Sequence, residues 1–585
     1  TLKFYHDTLK NDYIRSVGAI TARVSEVRPE LKKEVIPLVT RPVTKEEALK
    51  RGWNNVDIVL LTGDAYVDHP SFGIAVIGRV LEKAGFSVGI IAMPNFLDSS
   101  SVEVFGRPNL FFGVTSGNID SMLSRFTAFK KIRNDDPYIP GGKGGIKPSN
   151  AVITYCNLIK QRFKDVPIVI GGIEASMRRL LHYDFVQDKL RRSIMVDSRA
   201  DILVYGMGEY QIVEIARRLS GGQSLQGIPG TVTIAKQKPD DAVELPPEED
   251  ALANVQSLLV MYKMFYRNFG TKVITQKSGG RYIIHTPPPA VTRKELDIYY
   301  ELPYERKPHP MYKDTIPAFE MIKYSINAHR GCAGGCSFCS LTLHQGKMVV
   351  SRSADSIKQE IVTVSKRKVH ISDIGGPSAN MYGFMCSIGG CNRESCVFPA
   401  VCKHLRLATD KWLNLMEDAL TLPNVKKVSV GSGIRYDMFM QGNNAKKNLE
   451  FLVKHFVSGQ LKIAPEHTDK TVLRAMRKVS AIPLEEFVNA FNAACKRLGR
   501  EYYLVPYLMT CHPGSTDSSV YRMRKDIAAL FGYVPYQCQA FIPLPMTLSS
   551  IQYYTGSDPL TGETFFVEKK PLARKRQHVI LMKKL

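Results

Sequence analysis

Short apolar runs alternate with helix-spaced segments along most of the chain, in two blocks. The first block opens with "VDIVLLTG" (56–63), a nearly continuous apolar run ending in glycine, the pattern of a strand buried on both faces. "GIAVIGRVLEKAG" (73–85) then spaces its apolar residues along one helix face and stops at Gly85. "FSVGIIAMP" (86–94) reads as the next strand. Strand–helix–strand predicts a parallel open sheet. The alternation continues through "NLFFGVTSGN" (109–118), a helix near 150–163, "VPIVIGGIEAS" (166–176), "ADILVYGMGE" (200–209) and "YQIVEIARRL" (210–219). A Rossmann-like α/β domain is therefore expected over 46–235, with ligands at the carboxyl ends of its strands.

The pattern then loosens. "KQKPDDAVELPPEEDA" and "HTPPPAVTRKE" are Pro-rich and charged, so 236–315 reads as a linker around one helix near 249–267. The second block is expected over 316–560. Its candidate strands are 322–328, 368–374, 426–433, 461–465, 502–509 and 538–544. Helical spacing appears at 354–367, 409–420, 445–457, 484–498 and 518–530. Six strand–helix repeats predict a partial (β/α)6 TIM barrel, whose chemistry would sit at the carboxyl ends of the strands. Residues 1–45 read as a polar extension of mixed charge. Residues 561–585 read as the start of a further region that the chain does not complete.

Composition changes the picture in three respects. Apolar residues make up 44% of the 585, which excludes an intrinsically disordered chain. The 79 basic and 55 acidic residues give a net charge of +24, which favours a polyanionic partner such as RNA, an acidic metabolite, or no more than solubility. The basic residues are dispersed; the densest runs are "KRK" (366–368) and "ARKR" (573–576). No run approaches the roughly 18 apolar residues that span a bilayer, and the first residues lack a signal-peptide core. A cytoplasmic location without membrane contact is expected, or an organellar one if a targeting segment has been removed, since the chain begins without Met. Eleven cysteines do not make a disulfide scaffold; their clustering implies a reducing compartment and a metal.

The sharpest cluster is "RGCAGGCSFCSLTLH" (330–344), directly after the first candidate barrel strand. Cys332, Cys336 and Cys339 follow a Cys-x3-Cys-x2-Cys spacing with glycines that permit tight turns. A structural zinc wants four ligands, and an electron-transfer [4Fe–4S] cluster also takes four cysteines. Three leave one iron open to a small molecule that binds through an amine and a carboxylate. Further features come after successive strands: Gly375 and Gly376 in "SDIGGPSAN" (372–380), Ser432 and Arg435 in "VGSGIRYD" (430–437), and Glu466 and His467 in "IAPEHT" (463–468).

This spacing, with Phe338 before the last cysteine, resembles the signature of radical S-adenosylmethionine (SAM) enzymes. That resemblance implies a [4Fe–4S] cluster on the three cysteines, with SAM on the open iron. It also implies a SAM pocket lined by Gly375, Gly376, Ser432, Arg435 and Glu466. "DAYVDHPSFGIAVIGRVLEKAGF", "YCNLIKQRFKDVPIVIGGIEASMRRL", "SINAHRGCAGGCSFCS", "DIGGPSANMYG" and "KIAPEHT" together resemble the YgiQ-like radical SAM family, UPF0313, over about 41–585. The family implies hydrogen abstraction by a 5′-deoxyadenosyl radical from a substrate it does not name, and a flavodoxin- or ferredoxin-like reducing partner.

A second set, Cys386, Cys391, Cys396 and Cys402, lies in "MCSIGGCNRESCVFPAVCKH". It reads as a structural zinc, a second iron–sulfur cluster or unliganded thiols, with His404 as a spare ligand or a surface residue. Cys156, Cys495, Cys511 and Cys538 are isolated and read as buried apolar thiols. The first block also resembles the cobalamin-binding domains that precede other radical SAM barrels, but lacks their Asp-x-His-x-x-Gly motif. "DHPSFG" (68–73) has the letters in the wrong spacing for His69 to ligate cobalt. Asp64, Asp68 and His69 nonetheless come after the first strand, where ligands bind, and "GGKGGIKP" (141–148) could cradle an anion or form a surface loop. Two rival functions remain open at this point. One is a cobalamin-dependent methyl or methylthio transferase acting on RNA or protein. The other is a non-catalytic, nucleic-acid-associated iron–sulfur protein.

Overall fold

The computed structural model describes residues 40–478, 480–534 and 538–582, and Arg41–Leu585 form one compact unit. The expected extension therefore lies almost wholly outside the described residues. Its last residues enter the helix Lys45–Lys50, capped by the Thr44 side chain.

The first block forms a nine-stranded sheet. Its strands run in the spatial order Val243–Leu245, Ile274–Ser278, Arg281–His285, Thr231–Ala235, Ile202–Val204, Ile168–Ile170, Phe111–Thr115, Ile58–Thr62 and Val88–Ala92. The five strands from Ile202–Val204 to Val88–Ala92 are mutually parallel, with Ile58 opposite both Val88 and Phe111. Apolar runs without alternation are explained by burial on both faces. Val59 and Leu61 enter the core on one side of the sheet, Ile58 and Leu60 the core on the other.

The linker expectation for 236–315 needs correction. Three strands between Val243 and His285 extend the same sheet, and two helices, Glu248–Ala253 and Val255–Asn268, replace the single one. Pro-rich flanks obscured them, but the Gly279–Gly280 pair was a readable hairpin signal. Both glycines take positive φ (53° and 79°) and join Ile274–Ser278 to Arg281–His285 in antiparallel register.

The second block contains six parallel strands paired in chain order, the second of them split into Val369–Ile371 and Asp373–Gly375. Ser325–Asn327 pairs with Asp373–Gly375, Val369–Ile371 with Val425–Val428, and Ile434 bridges Ile463. Gln460–Glu466 pairs with Tyr503–Thr510, whose end pairs with Gln539–Ala540. Helices Ala354–Val364, Thr409–Leu420, Ala445–His455, Leu484–Arg497 and Asp517–Phe531 separate them. Trp412, Phe439, Phe456, Phe487 and Phe491 fill the core beneath. This is the partial barrel the six repeats predict. Helix Pro571–Met582 closes the described chain; its Leu581 buries against Val520, Met523 and Ile527.

The sheet and the barrel share contacts. Val67–Asp68 pairs with Lys307–Pro308, and buried Arg330 forms an ion pair with Glu209. Among the described residues, no helix is long and apolar enough to cross a membrane.

Candidate active site

The chain leaves the first barrel strand through His329–Arg330, which pairs with Val350–Ser351, and forms the cysteine loop between those two short strands. Gly331 sits at φ 82°, where a Cβ would lie 2.0 Å from the Met348 carbonyl oxygen, so only glycine closes the loop. A Cβ on Gly334 would lie 3.3 Å from the Sγ of Cys332 and 3.7 Å from that of Cys336. The backbone thus threads between two of the sulfurs. The Gly334 amide donates to Cys332 Sγ at 3.4 Å, and Cys339 N donates to the Cys336 carbonyl at 3.1 Å.

Ser337 anchors this loop. Its amide donates to the Met476 carbonyl at 3.0 Å and its hydroxyl to the Ala475 carbonyl at 2.6 Å. Ser549 Oγ lies 2.8 Å from Ser337 Oγ and 2.7 Å from His512 Nε2. The turn between two of the cysteines is therefore tied to elements that arrive late in the chain.

Positive charge faces the sulfurs. Arg435 Nη1 lies 3.8 Å from Cys336 Sγ. Its Nε and Nη2 donate to Asp437 at 3.1 and 2.7 Å, and both side chains are buried. Burial opposes the Arg435 charge, but Asp437 and the neighbouring cysteines more than restore it. Lys478 donates to Glu466 at 2.7 Å and is held charged, against burial, by Glu466 and Cys336. Burial, with the charge of Cys336 added, pushes Cys339 up to about 12. Such thiols ionise readily only against a bound cation.

Three of the expected pocket residues, Gly375, Ser432 and Arg435, gather around the short loop at Ala379–Asn380. A Cβ on Gly375 would lie 3.1 Å from Ser432 Oγ and 3.2 Å from the Ala379 Cα. Ala379 N donates to the Gly433 carbonyl at 3.2 Å, and Asn380 exchanges two hydrogen bonds with the Arg435 backbone. Gly376 packs on His329, with the ring 2.6 Å from where a Cβ would be. Asp373 accepts from the Gly431 and Ser432 amides at 2.9 and 3.1 Å. Glu466 ends its strand at φ 65°. His467 stands beside it, buried, with Nδ1 accepting from the Thr468 and Asp469 amides.

The three thiols suit an iron–sulfur cluster. Among the described residues, no three His, Cys, Asp or Glu side chains converge on a single ion. A cubane does not ask for that, since each thiolate takes its own iron. The donors are soft sulfurs, an amide N–H and a guanidinium face them, and Gly334 keeps the space between them clear.

A cavity of about 620 Å³ opens beside the loop. Its floor is the carboxyl edge of the sheet, including Thr62, Thr115 and Gly171; its roof includes His329, Ser340, His344 and Gly376. The lining is mostly apolar, and its charges are paired: Arg330 with Glu209, Asp120 with Arg178. Burial brings His329 and His344 down to about 4, so both imidazoles are neutral at pH 7.

Other candidates lie elsewhere. Asp64 pairs with buried Lys147 and accepts from Asn118; Asp68 pairs with Arg79. His69 is buried, with Nδ1 accepting from the Ser71 amide. None of the three lines the cavity. Lys147 of the "GGKGGIKP" stretch is buried and paired with Asp64 and Asp136, whereas Lys143 of the same stretch is exposed. Cys156, Cys495 and Cys511 are buried, whereas Cys538 is only partly so and meets His578 Nδ1 at 3.2 Å. Sequence reasoning does not single out Lys478, Asp437, Asp373 or Ser337. Asp437, Asp373 and Ser337 lie inside quoted motifs without being marked out there; Lys478 carries no local signal.

A mixed sheet with five parallel strands leading into a six-stranded parallel barrel, with three cysteines after the first barrel strand, is the arrangement expected of the radical SAM class of proteins. A family model described as Radical SAM N-terminal matches residues 41–325. A UPF0313 protein of Clostridium botulinum (strain Okra / Type B1) is 44% identical over 92% of this chain and 86% of its own length. One from Thermotoga neapolitana is 44% identical over 93% and 98%. The chain belongs to the UPF0313 family, and it is a radical SAM enzyme that uses a [4Fe–4S] cluster and SAM. The solved radical SAM methyltransferase TsrM from Kitasatospora setae aligns over 84% of this chain and 75% of its own, at 15% identity and a TM-score of 0.49.

Proposed function

We propose that Cys332, Cys336 and Cys339 hold the [4Fe–4S] cluster, and that the enzyme abstracts hydrogen from a substrate in the adjoining cavity. The observation that carries this reading is the adjacency itself: Ser340, Leu341, His344 and Gln345, which come directly after Cys339, line the cavity of about 620 Å³. When bound and reduced, the cluster supplies an electron that cleaves SAM to methionine and a 5′-deoxyadenosyl radical.

The chain's own groups do the positioning. Gly375, Gly376 and Ser432 offer backbone and hydroxyl at the strand ends for SAM. Arg435 and the Lys478–Glu466 pair set the charge around the sulfurs. The apolar lining excludes water from a radical reaction, and neutral His329 and His344 offer hydrogen bonds without a net charge. The excess of basic residues fits an RNA substrate and an acidic, flavodoxin- or ferredoxin-like donor in the cytoplasm.

A second reading rests on the same cavity. Its size and its place at the carboxyl edge of the sheet would suit a cobalamin, making the enzyme a methyl or methylthio transferase. Retention of corrinoid absorbance on purification separates the two readings.

The test is anaerobic reconstitution with iron and sulfide, then reduction in the presence of SAM. Formation of 5′-deoxyadenosine, lost in Cys336→Ala, is the expected result. An intact cluster that leaves SAM uncleaved overturns the proposal.

A further inference from the structure

We propose that Cys386, Cys391, Cys396 and Cys402 are the four ligands of a second [4Fe–4S] cluster, in a site that abuts the first cysteine loop. The four thiols occupy an excursion between the second barrel strand and the helix Thr409–Leu420. After the short 3-10 turn Ala379–Met381, its regular structure is one two-residue ladder, Met385–Cys386 against Leu405–Arg406. That ladder sets Cys386 opposite Leu405. The Leu405 amide donates to the Cys402 carbonyl at 2.9 Å, and the Cys402 amide donates to the Cys396 carbonyl at 2.8 Å. Cys391 is held from the other side by Lys347, whose Nζ donates to the Cys391 and Arg393 carbonyls and lies 4.0 Å from Cys391 Sγ. All four cysteines are free thiols. An irregular excursion with so little ladder and no disulfide needs another cross-link, which a metal site would provide.

The excursion is built onto the first loop. Ser395 Oγ donates to the Gly334 carbonyl at 2.6 Å, and the Cys396 amide donates to the Ala333 carbonyl at 3.1 Å. A Cβ on Gly335 would lie 2.6 Å from the Glu394 carbonyl oxygen. Cys332, Cys396 and Cys402 share one apolar cluster with Ala333, Met381, Phe384 and Val397.

The choice of metal rests on ligand type and arrangement. Four soft sulfurs suit zinc or an iron–sulfur cluster. Zinc requires its ligands around one point, at about 2.3 Å each. Among the described residues, no such convergence exists. Backbone pairing chains Cys386 to Leu405, Leu405 to Cys402 and Cys402 to Cys396, and Lys347 holds Cys391, so the four thiols share one excursion without three of them meeting at one point. That arrangement matches a cubane, which gives each thiolate its own iron. Lys347 offsets the net negative charge of a four-thiolate cluster. Cys386 and Cys391 are half-buried beside exposed Ile388, so the site faces solvent on one side.

Anaerobic reconstitution of the full chain, with iron and acid-labile sulfide counted per polypeptide, tests this. The wild type should hold about eight irons, on the basis of two four-iron clusters. The C332A/C336A/C339A variant should keep about four, with a [4Fe–4S] spectrum on reduction. C391A/C396A should also keep about four and still cleave SAM if it folds. A wild type that saturates near four irons, or a triple variant that holds zinc and no iron, overturns the second cluster. The wild-type count needs no variant to fold. It is also independent of SAM cleavage, so its failure is distinct from failure of the radical chemistry.

Discussion

The guanidinium of Arg435 reaches 3.8 Å from the Sγ of Cys336 while Asp437 clamps its other edge at 2.7 and 3.1 Å. Asp437 fixes the plane, so the free Nη1 can point only at the sulfur. If Cys336 ligates the proposed cluster, Arg435 acts as a positioning residue, bringing charge to the sulfur without ligating iron. Arg435→Lys keeps the charge and loses the fork. It should retain iron but slow 5′-deoxyadenosine formation by about 10–100-fold, the usual cost of removing a group that supports a metal ligand. Arg435→Met should instead destabilise the fold by about 3–5 kcal/mol, because it strands buried Asp437. Unchanged SAM cleavage in Arg435→Lys would remove the positioning role.

Two glycines flank the site with the same backbone sign and different surroundings. Gly331 (φ 82°) has the Met348 carbonyl where its Cβ would go, whereas Gly346 (φ 89°) has nothing within 4 Å. Gly346→Ala should cost about 1 kcal/mol, the conformational penalty alone. Gly331→Ala adds a backbone collision worth about 1–3 kcal/mol more and should prevent the cluster loop from closing. Iron content and melting temperature of the two variants check this. Equal losses would mean that the collision is relieved elsewhere.

Much of this site is legible in the sequence because the barrel places its chemistry after strands. Cys332, Gly375, Ser432 and Glu466 each stand at or just beyond the end of an apolar run. The support around them is not legible. Ser337 reads as filler between two cysteines until the fold brings Met476, Ala475 and Ser549 to it. Lys478 lies 12 positions after Glu466, with no periodic spacing to suggest their ion pair. Val243–Leu245 is hidden for a different reason: a three-residue edge strand followed by two prolines resembles a linker, and only its pairing with Ile274–Ser278, about 30 residues on, makes it a strand.

The chain from His512 through Ser549 to Ser337 ends on the Ala475 carbonyl, and every member is buried. Ser549→Ala leaves His512 Nε2 without this partner and removes the contact to the Ser337 hydroxyl. The expected cost is about 1–3 kcal/mol, the penalty for a buried polar group left unsatisfied. The change should also loosen the turn between Cys336 and Cys339, seen as faster loss of iron to a chelator. Ser549→Thr should restore both properties if its methyl is accommodated. A Ser549→Ala protein with wild-type melting and chelation would show the chain to be incidental.

His285 lies at the end of its strand, buried, with neither ring nitrogen hydrogen-bonded, against Phe265 and in the field of Arg179. Burial, aided by that cation, brings it down from 6.5 to about 3. The folded state therefore keeps His285 neutral where the unfolded chain would protonate it. Below pH 6.5 the unfolded state binds the extra proton, and stability falls by about 1.4 kcal/mol per pH unit until the folded value is reached. Above pH 6.5 the two states bind alike and the effect vanishes. His182 and His512 behave in the same direction, so the protein should lose stability steeply between pH 6.5 and 4. His285→Phe removes one of these protons. Its stability relative to wild type should improve by about 2 kcal/mol between pH 7.5 and pH 5. Melting temperatures of both proteins at the two pH values measure that change, and a difference independent of pH would mean that His285 titrates in the fold as it does in the unfolded chain.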